Sequence, residues 1–325
     1  MTKVTDSYPG KELTTDELKQ QLVKDTQVKE LKESKFPTEI IDLPSKGLLY
    51  PKEHPLSSGK IEMKYMTAKE EDILTSQNLI QKGVVIDMLL RSLIVGNGEG
   101  KRVNYDDLIL GDKNAVMVAA RILGYGAEYP VELTCPACGA KAKETVNLAE
   151  LENKVVDHEF KNENRFEFAL PLSKKTLTFK ILSHSDEAKV AETAKRMKKR
   201  SMSNQQSYEL TSRLKAMIIA VDGEEDKKTI DNFVDNEFIS RDSLAFRKEL
   251  DRITPDVDMK VWFECSECGH EEAITIPLTV EFFWPRVWIQ AHSAWTDFPA
   301  SVFFEWWVYS QRCIYNACLP SSVLL

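Results

Sequence analysis

Two matched knuckles, Cys135-Pro136-Ala137-Cys138-Gly139 and Cys265-Ser266-Glu267-Cys268-Gly269, constrain this chain more than any other feature, and 126 residues separate their cysteine pairs. Thiolates two residues apart can hold one tetrahedral metal ion from a tight turn. The Gly that follows relieves strain where the backbone amides curl toward the sulfurs. One such turn is a weak signal; two point to a single structural Zn2+ site with Cys135, Cys138, Cys265 and Cys268 as ligands, tying two halves of the chain together. The other use of a CxxC pair, redox exchange, needs a helix N-terminus to lower one thiol pKa. Here each pair reads as the tip of a β-hairpin and is followed by Gly, which favours metal over redox chemistry and leaves loss of any metal as a third reading. Cys313 and Cys318 read as ordinary thiols.

The flanks of the knuckles match as well. Aligning the cysteines sets Val131-Glu132-Leu133-Thr134 against Val261-Trp262-Phe263-Glu264, and Thr145-Val146-Asn147-Leu148 against Thr275-Ile276-Pro277-Leu278, at an offset of 130. Upstream, Ile61-Glu62-Met63-Lys64-Tyr65 faces Leu177-Thr178-Phe179-Lys180-Ile181 at an offset of 116. Between them, Asn97-Gly98-Glu99 matches Asp222-Gly223-Glu224 and Asp106 matches Asp231, at 125. Shifting offsets are what an old duplication with loop insertions leaves behind. The expected fold class is therefore α+β: tandem duplicated strand–helix–helix–zinc-hairpin units sharing a four-cysteine, zinc-ribbon-like junction.

A chain of 325 residues can hold two modest domains, each burying its own core. Its net charge of −8 argues against broad attraction to nucleic acid or an anionic membrane. The first residues have no apolar signal core, and there is no uninterrupted 18-residue apolar stretch, so no membrane span is expected and the chain reads as intracellular at synthesis.

Five segments follow. Residues 1–36 carry 14 charged side chains, seven of each sign, and Leu18, Leu22, Val28 and Leu31 mark a helix from about Thr15 to Ser34. It is either a solvated helix or one that docks on a partner. Residues 37–59 are a Pro-rich extended loop in which Leu43-Pro44-Ser45-Lys46-Gly47-Leu48-Leu49-Tyr50-Pro51 either wraps its own domain or serves as a binding loop. Residues 60–150 form repeat one with the first knuckle. Thr67 and Glu70 have capping-box spacing and start a helix through Gln81, Val84–Val95 should be the buried helix, and a helix around Asn114–Leu123 leads to the hairpin. Residues 151–285 form repeat two with the second knuckle. A hairpin at 166–181, a cap signal at Ser183 and Asp186, helices near 186–200, 206–221 and 240–252, and a last strand ending in Phe282-Phe283-Trp284-Pro285 are expected there. Residues 286–325 hold four of the six tryptophans but only four charged residues, and make either a hydrophobic binding arm or a stretch outside the native C-terminus.

No catalytic constellation emerges. His54, His158, His184, His270 and His292 are scattered, and only His270 lies beside a motif, as an exposed turn residue or an extra ligand. Gly96-x-Gly98-x-Gly100-Lys101 follows an expected apolar helix, where a phosphate loop would follow a strand, and lacks the Ser/Thr after the Lys, so it reads as a turn. Glu70-Glu71-Asp72 and Glu224-Glu225-Asp226 read as surface charge. The run Lys195-Arg196-Met197-Lys198-Lys199-Arg200 suits a solvated helix end, although with zinc ribbons it keeps a nucleic-acid-binding regulator as the alternative function.

With these residues in view, the chain resembles the baseplate hub subunit family of T4-like contractile-tailed bacteriophages. The resemblance rests on the 43–51 segment, the Met63 strand and Glu70-Glu71-Asp72 helix, both knuckles, and Ile274-Thr275-Ile276-Pro277-Leu278 to Phe282-Phe283-Trp284-Pro285. It covers about residues 37–285. It implies a non-enzymatic structural or assembly component of a tail baseplate hub, partnered by other baseplate or hub proteins and with no small-molecule substrate. The expected location is the host cytoplasm during assembly and the virion tail baseplate. The residues themselves add that zinc would pre-organise the two halves, with the 43–51 loop and the N-terminal helix as partner surface.

Overall fold

Strand β1 (Thr38–Asp42) runs antiparallel to β2 (Lys60–Lys64), where Ile61 and Met63 are buried and Lys60 is exposed. This is the alternation of a strand with one face on a core. The computed structural model describes residues 37–156, 160, 163–200, 208–276 and 282–284. The expected N-terminal helix, the Pro277-Leu278 strand positions and the tail 286–325 lie outside the described residues. From Thr38 onward the described residues belong to one compact unit.

The segment between β1 and β2, expected as a Pro-rich extended loop, is folded through successive turns. Leu43, Leu49 and Tyr50 are buried in the core. Two glycines explain the close folding. A Cβ on Gly47 would stand 2.3 Å from the Ser57 carbonyl oxygen, and one on Gly59 would stand 2.6 Å from the Lys46 backbone, so the loop can cross itself only there. Of the two readings of 43–51, the structure matches the one in which the segment wraps its own domain.

Helix α1 (Ala68–Thr75) begins with the expected capping box, in which the Thr67 N–H donates to Glu70 at 3.0 Å. The helix expected to reach Gln81 is broken, with α2 (Gln77–Gln81) following an extended Ser76. The break is tertiary in origin. The Trp284 indole Nε1 donates to the Leu74 carbonyl at 3.1 Å, taking an acceptor that helix continuation would use. Helix α3 (Val85–Leu93) ends before the β-branched pair Ile94-Val95, which instead enters β3 (Ile94–Gly96) on the open edge of β2. Helix α4 (Leu110–Tyr125) then leads to the hairpin of β4 (Glu128–Thr134) and β5 (Lys141–Asn147) that carries the first knuckle.

The second half runs in similar order. Strands β6 (Phe166–Ala169) and β7 (Thr176–Phe179) pair, and helices α5 (His184–Arg200) and α6 (Glu209–Met217) follow. The helix expected to run to 221 gives way to β8 (Ile218–Val221). Helix α7 (Lys227–Asn232), unforeseen in the sequence, precedes α8 (Ser240–Ile253) and the hairpin of β9 (Lys260–Glu264) and β10 (Glu271–Thr275). The fold is α+β.

The sheets have the orders β1-β2-β3 and β6-β7-β8, both antiparallel. Each register shift falls in the middle strand, between Glu62 and Met63 in one and Thr178 and Phe179 in the other. A second correspondence was not legible in the sequence. Asp112 and Asp242, both in the first turn of a long helix and both fully buried, accept from the loop joining the first two strands of their sheet. Asp112 accepts from Ser45 N at 3.0 Å, Ser45 Oγ at 2.7 Å and Tyr50 Oη at 2.7 Å. Asp242 accepts from Leu172 N and Ser173 N, both at 2.9 Å.

The halves meet closely. The start of α4 lies against residues 254–256, with Gly111 facing the Pro255 carbonyl and Asn114 Nδ2 donating to Asp256 at 2.9 Å. Phe282 packs edge-on against Tyr129 at 5.2 Å, so the end of the second half also seats on the first. Phe282–Trp284 make a buried turn where the end of a strand was expected.

Candidate metal centre

Each knuckle is built by the same two backbone hydrogen bonds. Cys135 N–H donates to the Ala140 carbonyl at 2.8 Å and Gly139 N–H to the Cys135 carbonyl at 2.9 Å; Cys265 and Gly269 do the same with His270 and Cys265, at 2.9 and 2.8 Å. Reversing the chain this tightly puts Gly139 at φ +74° and Gly269 at φ +66°. A Cβ at either glycine would meet nothing within 4 Å, so backbone conformation alone calls for glycine.

The hairpins bring the four sulfurs together, all within 4.8 Å of one another. The short contacts cross between knuckles, Cys135 Sγ to Cys268 Sγ and Cys138 Sγ to Cys265 Sγ, each 3.7 Å. A disulfide needs about 2.05 Å, and all four thiols are free. Tetrahedral thiolates about 2.3 Å from a shared zinc ion would stand about 3.8 Å apart, which the crossed pairs match. The first cysteine of each knuckle is buried and the second exposed, so the two contribute in the same manner.

The electrostatics also suit a cation. Backbone N–H groups of Cys138 and Ala137 aim at Cys135 Sγ and lower its thiol to about 6. The His270 amide acts likewise on Cys268, but the Cys138 thiol and burial outweigh it and push Cys268 up to about 12. The first thiolate forms readily, and neighbouring sulfurs oppose ionisation of Cys268. A divalent ion among them would reverse that opposition. His270 turns away from any ligand role, with Nε2 3.1 Å from Glu272 Oε2.

Another polar cluster was missed because its members are far apart in sequence. Asp87 of α3 accepts from Tyr105 Oη at 2.7 Å and lies 3.1 Å from Lys113 Nζ. Lys113 Nζ is 3.1 Å from His184 Nδ1, and His184 Nε2 is 3.7 Å from Asp87. Burial, the largest cause in each case, lowers both Lys113 and His184. The groups satisfy one another across the junction of α3, α4 and α5, which suits a structural lock.

A family model described as T4 bacteriophage base plate protein matches residues 42–284. No curated protein and no solved structure matches the chain. The matched region runs from the end of β1 through both knuckles to Trp284, and it makes this chain a member of the T4 bacteriophage base plate protein family.

Proposed function

We propose that the chain is a non-enzymatic structural or assembly component of the baseplate hub, a zinc-stabilised protein–protein scaffold built by tandem duplication. The observation that carries this reading is the crossed set of four cysteines, two from each half, in a chain of the base plate family. A metal ion held by Cys135, Cys138, Cys265 and Cys268 would close a loop across the repeats and fix their relative orientation, lowering the entropy lost when a partner binds. Four sulfur donors, with the crossed pairs at tetrahedral spacing, favour zinc over hard oxygen-seeking cations.

The two units are residues 60–150 and 151–285, with β1 added to the first by the 37–59 segment. Matching strand orders, register shifts and buried aspartates support their common origin. The partners are other baseplate or hub proteins. Among the described residues no helix is long and apolar enough to cross a membrane. The chain acts in the host cytoplasm during assembly and takes its place in the tail baseplate.

Quantitative mass spectrometry of purified particles beside tail-assembly intermediates tests this. Stoichiometric presence in both makes the chain a hub subunit, and presence in intermediates alone makes it an assembly factor. Absence from both overturns the reading.

A further inference from the structure

The two zinc hairpins leave a groove between them. It has a volume of about 660 Å³, with residues of β5 on one wall and of β9 on the other. Each hairpin is a two-stranded sheet; the outer edge of β9 is used at its start, where Asp258 N–H donates to the Glu152 carbonyl at 2.8 Å and Lys260 N–H to Asp258 Oδ1 at 3.2 Å, and from Trp262 to Glu264 it pairs on one side only among the described residues. Such open edges are templates for another strand unless something covers them.

The groove has a definite charge. Glu144, Glu150, Glu152, Asp258 and Glu264 line it, against a single cation, Lys260. No ion pair ties any of these five carboxylates among the described residues. Trp262, on the same wall, is 72% exposed. Its cross-strand neighbour is Ala273, too small to cover the indole. An exposed tryptophan beside open strand edges and ringed by like charge is costly to leave in solvent, and it is the residue type that most often anchors a protein interface.

We infer that this groove binds an extended, lysine- or arginine-rich segment of another assembly protein, which adds as a strand to the open edge of β9 and packs on Trp262. Backbone pairing would supply affinity. Alternate basic side chains would meet the carboxylates of the groove and select the partner. The free part of the β9 edge, Trp262 to Glu264, would take a segment of about 10 Å in the ladder. A helix would leave the edge amides unpaired, and an acidic segment or nucleic acid would be repelled. The inference takes from the scaffold reading only that the partner is a protein.

The test uses the full chain and a labelled synthetic peptide, Lys-Thr-Lys-Val-Lys-Thr-Lys, with a peptide carrying Glu in place of Lys as control. Fluorescence anisotropy should report saturable binding of the basic peptide that weakens with salt, and none of the acidic one. Trp262→Ala should weaken binding at least tenfold, as should the Glu144→Lys/Glu152→Lys pair. All three positions are exposed, so circular dichroism should show both variants folded. Hydrogen exchange should show the peptide protecting amides at 262–264.

Equal binding to the variants, or protection elsewhere with 262–264 unchanged, would overturn the inference. So would self-association of the peptide-free chain that Lys195→Glu/Lys198→Glu abolishes, since the groove's occupant would then be the basic end of α5 from a second copy. None of these outcomes bears on whether the chain is present in tail particles, so the scaffold reading stands or falls separately.

Discussion

Two glycines on one helix illustrate how the surroundings decide the cost of a single methyl group. A Cβ at Gly111 would lie 1.8 Å from the Pro255 carbonyl oxygen, a backbone atom held by the second half of the chain. At Gly124 the nearest obstacle is the flexible Met66 side chain, 2.7 Å away. Gly111→Ala should therefore destabilise the protein by about 3 kcal/mol by forcing α4 off its seat. Gly124→Ala should stay within about 1 kcal/mol of wild type, since Met66 can move and alanine favours the helix. Urea denaturation of both variants checks this contrast. Asp112 makes a different point. Burial pushes its carboxyl up to about 6 from the ordinary 3.8, although Tyr50 and Ser45 donate to it. Its folded pKa is raised, so its contribution is complete below pH 3.8 and is lost as pH rises through about 6, a change of about 3 kcal/mol. Asp112→Asn removes this titration. Relative to wild type, the variant should look worse at pH 4 than at pH 7, and denaturation at both pH values reads the difference.

At the scale of elements, the hairpins and the first turns of the helices matter most. Cys265→Ser removes one of four sulfurs within 4.8 Å and should eliminate the metal while lowering stability by roughly 2–5 kcal/mol, the scale of losing a native cross-link. Elemental analysis should find one ion per wild-type chain and none in the variant; two ions in the wild type would contradict a shared site. The start of α5 carries an opposite pH dependence to that of Asp112. Burial, with Lys113 adding to it, lowers His184 below its ordinary 6.5. The unfolded chain then takes up the proton first, so this contribution is present above pH 6.5 and is lost as pH falls through the lowered folded value. His184→Asn should be less sensitive than wild type to acidification below pH 6.5, as thermal melts across that range would show.

For the molecule as a whole, the halves are joined at several separate places. The sulfurs meet at the hairpin tips, Asn114 meets Asp256 beside Gly111, Lys113 meets His184, and Trp284 reaches Leu74. These contacts are dispersed along the junction, so a metal ion at the four cysteines would not be the sole tie. Treatment with a chelator should lower the melting temperature yet leave a single cooperative transition. Native-state hydrogen exchange should then report the same opening free energy for slow amides in β2 and in β7. Separate values for the two strands would mean that the ion alone couples the two halves.

Local chemistry was legible in the sequence wherever a short motif sets geometry by itself. The knuckle turns, the Thr67 cap and the strands around Met63 and Phe179 were readable because each depends on residues close together in the chain or on a matched local pattern. The structure brings Cys135, Cys138, Cys265 and Cys268 together as that pattern required. Tertiary structure decided what isolated segments could not. The apolar stretch ending in Ile94-Val95 became a helix followed by a strand because β2 offered an open edge. The helix from Ala68 stopped at Thr75, where Trp284 claims the Leu74 carbonyl from more than 200 residues away. The Leu43–Tyr50 loop went into the core because Gly47 and Gly59 allow its backbone to cross itself. Asp87, Lys113 and His184 became one cluster only when three helices converged. Propensity and motif spacing act over a few residues. The partner that satisfies a backbone carbonyl or a buried charge is chosen by packing, and packing is a property of the whole chain.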